Sequence, residues 1–149
     1  MYRKILVAYN GTPESRSALY SCIQLAPAPE VEIHLLGVIN LATYLMAGEF
    51  VAESAIRAEK TLLEQELIKG HKLLSDAGLK PIDHFESGEP VNVISDLVGK
   101  LGIDLVIVGH SRKRPLATRW WRGSVDTLLV EKVPCSVLVA TDPCVPWPA

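Results

Sequence analysis

The chain is short of several features that mark whole classes of protein. Its 149 residues contain three cysteines, Cys22, Cys135 and Cys144. They form no Cys-x-x-Cys pair, and an odd number cannot all be joined within one chain. A disulfide-stapled secreted scaffold is therefore not expected, and the thiols read as reduced. No spaced set of histidine and cysteine suggests zinc. Long apolar runs are also missing. Those present are short and interrupted by charge, as at Asp104, so no membrane span is expected. The start, Met1 to Lys4 followed by Ile5 to Tyr9, is too short for a signal peptide, and no small-residue cleavage site follows. A large excess of one charge is absent too: the net charge of −2 argues against a general nucleic-acid partner. No internal repeat or low-complexity segment is visible. These absences leave a cytoplasmic globular protein as the expectation.

What is present is a core. Hydrophobic residues make up 48% of the chain and charged residues 21%, and the length suits one domain. Lys4 to Tyr9 reads as a buried first strand, stopped at Asn10-Gly11. Thr12 as N-cap, Pro13 at the first helical position and Glu14 then open a helix with an apolar stripe of Ala18, Leu19, Cys22, Ile23 and Ala26. Val31 to Ile39 is a second strand, and its almost wholly apolar second half suits a parallel strand covered on both faces. Asn40 to Val51 is irregular, readable as a loop with a helical turn or as a flap over a pocket. Glu53 to Asp76 is the longest periodic helix, with Ile56, Leu63, Leu67 and Leu74 on one face. Lys80 to Glu86 is a weaker strand, and Pro90 opens a helix whose face is Val91, Ile94, Leu97 and Val98.

The stretch from Leu105 to Ala140 carries the chemistry. Leu105 to Val108 is a strand, followed by Gly109. A basic segment comes next, with His110, Arg112, Lys113, Arg114, Arg119 and Arg122 and no acidic residue. Gly123 and Ser124 introduce a helix from Val125 to Glu131, and Ser136 to Ala140 is the last strand. A basic loop flanked by glycine at a helix N-terminus suits phosphate, because free N–H groups and the helix dipole both favour an anion. The bland alternative is a solvated loop whose glycines only make turns. Strands alternating with helices imply an α/β fold, a parallel sheet with helices on both faces. In such sheets ligands bind beyond the carboxyl ends of the strands. The loops there are Asn10-Gly11-Thr12, Val38 to Asn40, and Gly109 to Ser124.

With KILVAYNGTPESRSAL at the start, DLVIVGHS followed by Gly123-Ser124, and PCSVLVA at the end, the chain resembles the universal stress protein family over nearly its whole length. The resemblance implies a single-domain, five-stranded parallel sheet of order 3-2-1-4-5, of the adenine nucleotide alpha hydrolase-like kind. It also implies a homodimer through the last strand and a cytoplasmic, stress-related role. The domain would span 1–141, with 142–149 as a proline-rich tail. ATP or another adenine nucleotide is the implied ligand. Ala8 and Val38 match positions lining the adenine pocket. Gly109 matches the first glycine of the family's phosphate motif, and Gly123-Ser124 its closing pair. Arg112 stands where a second glycine is usual, the interval Lys113 to Arg122 holds ten residues rather than nine, and Asn10 replaces an acidic residue.

Ala8, Asn10 and Val38 are thus the candidates for base and ribose, and Gly109, Arg112, Gly123, Ser124 and Val125 those for phosphate. Asn10 also reads as a turn residue, the role favoured by Asn-Gly, and it cannot supply a carboxylate to a metal. Of the adjacent Trp120 and Trp121, at most one packs inward. No Ser-His-Asp or paired-carboxylate arrangement emerges from spacing, so no catalytic residue is assigned. Two rival readings remain: a dimeric interaction module in which Arg112 fills the phosphate space, and a weak nucleotide hydrolase.

Overall fold

The computed structural model describes residues 1–25, 27–40, 49–111 and 125–141. The elements are β1 (Lys4–Ala8), α1 (Pro13–Gln24), β2 (Glu32–Ile39), α2 (Glu49–Asp76), β3 (Pro81–Ser87), α3 (Pro90–Leu101), β4 (Leu105–His110), α4 (Val125–Lys132) and β5 (Ser136–Thr141). All neighbouring strands pair in parallel, in the order β3-β2-β1-β4-β5. The α/β fold and strand order expected from the sequence are those observed. Of the irregular stretch 40–51, residues 41–48 lie outside the described part, and α2 begins at Glu49 rather than Glu53.

Strand periodicity divides the sheet between two cores. Leu6, Ala8, Leu36, Val38, Val106 and Val108 face one way, against Val91, Ile94, Leu97 and Val98 of α3 and Leu129 of α4. Ile5, Val7, Tyr9, Ile33, Leu35, Leu105 and Ile107 face the other way, against Ala18, Leu19 and Cys22 of α1 and Leu67 and Leu74 of α2. Ile5 to Ala8 of β1 and Leu105 to Val108 of β4 are therefore all buried, which explains the unbroken apolar runs in the sequence.

Local signals end the elements. Thr12 caps α1 by accepting from the Ser15 N–H, and Pro13 occupies the first turn. Gly102 closes α3 in the left-handed region at φ 70, where glycine carries no Cβ penalty. The N-cap of α3 is Glu89, whose carboxylate accepts from the N–H groups of Val91 and Asn92. The start of β1 is fixed from across the sheet: the Asp104 carboxylate accepts from the N–H groups of Arg3 at 2.9 Å and Lys4 at 3.0 Å. β4 runs two residues past its expected end, because Gly109 and His110 pair with Ala140 and Thr141 of β5. Gly109 is thus inside a strand, not after one.

Candidate functional site

The carboxyl ends of β1, β2 and β4 lie side by side in the middle of the sheet. β1 is where the strand order reverses, with β2 on one side and β4 on the other. In parallel α/β sheets ligands bind beyond the carboxyl ends of the strands at such a reversal. Ala8 and Val38 stand at these strand ends, both buried and both on the α3 side. Main-chain pairing continues past β1, since the Tyr9 N–H donates to the Leu36 carbonyl at 2.9 Å. Asn10, Asn40 and His110 follow these strand ends half-buried, and Ser111 is buried.

Asn10 organises the first loop. Its Oδ1 accepts from the Thr12 N–H at 3.2 Å and from the Thr12 hydroxyl at 2.7 Å, an Asx-turn in which the side chain replaces a main-chain acceptor. The Asn10 N–H donates to Ser15 Oγ at 3.3 Å, and the Ser15 hydroxyl donates to the Thr12 carbonyl at 3.0 Å. These bonds join the end of β1 to the first turn of α1. Asn10 therefore has the turn role read from Asn-Gly, with Gly11 next to it at φ +86.

Gly109 has a role that spacing did not disclose. A Cβ built there would collide with the Glu14 carbonyl group and lie 2.7 Å from the Ser15 nitrogen. The space left by the missing side chain is occupied by the main chain of α1. Gly70 serves similarly on α2: a Cβ there would meet the Tyr9 ring at 2.8 Å. That ring is buried, and burial first, then the Glu66 carboxylate, raises the Tyr9 pKa, against the hydrogen bond from Arg16. No sequence pattern pointed to Glu66 or Gly70, because each acts through a contact between elements distant in the chain.

Of the expected phosphate residues, Arg112, Gly123 and Ser124 lie outside the described residues, as do Trp120 and Trp121. Val125 is the first residue of α4, so the helix begins where Gly123-Ser124 foretold. The two described cysteine thiols are poor nucleophiles: burial pushes the Cys22 pKa up to about 12, and burial and then Asp104 raise that of Cys135. Both are free. Among the described residues no three His, Cys, Asp or Glu side chains gather as a cation site, and no helix is long and apolar enough to cross a membrane.

A family model described as the universal stress protein family matches residues 1–141. A "putative universal stress protein" of Staphylococcus epidermidis is 30% identical over 141 residues, covering 93% of this chain and 83% of that protein. Among solved structures, hypothetical protein MJ0577 is similar with a TM-score of 0.81 at 21% identity, covering 97% of this chain and 99% of that one. A universal stress protein family member from Arabidopsis thaliana, solved with AMP bound, has a TM-score of 0.68 at 17% identity, with 98% and 95% covered. At such identities the structural likeness establishes the fold.

Proposed function

The chain belongs to the universal stress protein family, and on that basis we propose that it is a cytoplasmic regulatory protein that takes an adenine nucleotide beyond the carboxyl end of β1. The observation that carries this reading is the convergence of the β1, β2 and β4 ends at the point where strand order reverses. The AMP bound by the Arabidopsis relative supports the ligand class. Ala8 and Val38 offer an apolar floor to the base. Asn10 has its oxygen engaged in the turn, which leaves its amide N–H donors for a ribose hydroxyl. Main-chain groups at Gly109, together with Gly123, Ser124 and Val125 at the start of α4, serve phosphate, because the first N–H groups of a helix have no intrahelical partner. Arg112 adds a guanidinium to the same anion. The bound nucleotide is a regulatory ligand in this reading, with no residue assigned to its hydrolysis. Residues 1–141 form the domain, and 142–149 are a tail beyond it.

Titration of ATP, ADP and AMP against the purified protein, with and without magnesium, tests the ligand. Saturable binding of at least one is expected, and its absence at millimolar ligand overturns the reading in favour of a module that works without nucleotide. The same proposal includes a homodimer through β5. Among the described strands β5 pairs only with β4, and Val139 on it is 37% exposed. An open edge of this kind presents main-chain groups and apolar surface to a second copy. Sedimentation at micromolar concentration is expected to give a dimer. A monomer there refutes it.

A further inference from the structure

His34 on β2 is only 3% exposed, an unusual place for a titratable ring. Its Nδ1 lies 2.8 Å from Nε2 of His84 on β3. Its Nε2 lies 3.2 Å from Oε1 of Glu32. The two rings are 5.0 Å apart and tilted by 32°. The hydrogens follow from the partners. An ionised carboxylate only accepts, so His34 Nε2 carries a hydrogen and donates to Glu32. In neutral His34, Nδ1 is then an acceptor, and His84 Nε2 must donate to it. The relay runs from His84 through His34 to Glu32.

This arrangement limits how many protons the pair can take. One added proton fits on His84 Nδ1 and leaves every hydrogen bond in place. A second would have to sit on His34 Nδ1, where it would face the His84 N–H at 2.8 Å. Two charged rings would then abut, one of them shut off from water. We propose that Glu32, His34 and His84 form an acid-sensitive latch that fastens the edge strand β3 to β2 while at most one imidazole is charged, and loosens it when both are. The surroundings support the assignment. Lys4 of β1 lies 3.8 Å from Glu32 Oε2 and donates to the Leu101 carbonyl, so the carboxylate that meets His34 already faces one cation. The helix over this part of the sheet contributes apolar Val91, Ile94, Leu97 and Val98. On β3, Asp83 and Glu86 draw a proton toward His84, but burial and His34 outweigh them and lower its pKa. Asp83 is also engaged by His71 of α2 at 2.8 Å. β3 is the element able to yield: it pairs only with β2 among the described strands, and Ile82 is 46% exposed.

The unfolded or detached chain binds two protons below the ordinary histidine pKa of about 6.5, and the latched pair binds at most one. The open form therefore gains ground as pH falls, by about tenfold per pH unit for each missing proton. The latch is complete above about pH 6.5 and weakens progressively as pH falls below it. Amide hydrogen exchange, corrected for its intrinsic pH dependence, reads this directly. Protection of residues 81–87 is expected to fall about tenfold per pH unit from 6.5 to 5 relative to residues 105–110. The double variant His34→Gln/His84→Gln keeps donors and acceptors without titrating and is expected to remove the difference. Parallel loss in β3 and β4, or a difference that survives in the double variant, overturns the proposal. Imidazole NMR on the unaltered protein needs no variant: the second proton of the His34–His84 pair is expected to arrive only as β3 loses protection. Two charged rings in a fully protected β3 also overturn it. The latch stands or falls without reference to nucleotide.

Discussion

Replacing Gly109 with alanine is expected to destabilise the protein by about 3 kcal/mol or more, the upper end for overpacking by one methyl group, and valine to do worse. The reason is steric and independent of backbone conformation. The added Cβ meets the carbonyl of Glu14 and the nitrogen of Ser15, which are main-chain atoms and cannot rotate aside. To make room, the first turn of α1 must lift from β4. That strains the Thr12 cap and the Asn10 and Ser15 bonds that tie β1 to this turn. Gly99 supplies the opposite case. It lies inside α3 with nothing within 4 Å of a built Cβ, so Gly99→Ala is expected to stabilise by up to about 1 kcal/mol through helix propensity. Denaturant unfolding of the two variants should shift in opposite directions. A Gly109→Ala protein that unfolds with the wild type would show that α1 does not press on β4 as described.

Leu129→Ala is expected to cost about 2 to 5 kcal/mol, the range for emptying a packed core site. α4 is eight residues long, too short to hold helical structure in water by itself. Its stability comes from packing, and Leu129 is fully buried in the core with Val106, Val108 and Val98. Ile68→Ala on α2 is the matching control, because Ile68 is largely exposed. Its cost should stay within about 0.5 kcal/mol. If both variants unfold at the same denaturant concentration, the packing account of α4 is wrong. The variant also bears on the proposed ligand: a loosened α4 no longer fixes the N–H groups at its start, so nucleotide affinity should drop alongside stability. Weakened binding after Leu129→Ala and unchanged binding after Ile68→Ala is the expected pattern.

Much of the architecture could be read from residue order, for reasons visible in particular elements. β1 and β4 are buried on both faces, so they appear as unbroken apolar runs. α3 carries a proline at its start, a four-residue stripe and a terminal glycine, so its bounds are legible. The cap on α3 was not, because glutamate is not among the preferred N-cap residues, and only the structure places Glu89 on the N–H groups of Val91 and Asn92. The end of β4 was misplaced because glycine reads as a stop, whereas pairing with β5 carries the strand on to His110. At the end of β1 the sequence marked Asn10 correctly as a turn residue. It could not disclose that Gly109 accommodates Glu14, or that His34 meets His84. Those facts depend on register and on the approach of a helix to a sheet, and neither is written in local periodicity.

The position of β1 between β2 and β4 also bears on how the chain matures as it leaves the ribosome. Asp104 binds the N–H of Arg3 across 101 positions of sequence, and Ile5 to Val7 pair with Leu105 to Ile107. A chain grown only as far as Leu101 can assemble β1, β2 and β3, yet one side of its most apolar strand still lacks a neighbour. Contacts that close so late slow folding, and an unmatched central strand is a target for mispairing with another nascent chain. The strand that ends at the centre of the mature sheet is, for most of synthesis, an open edge.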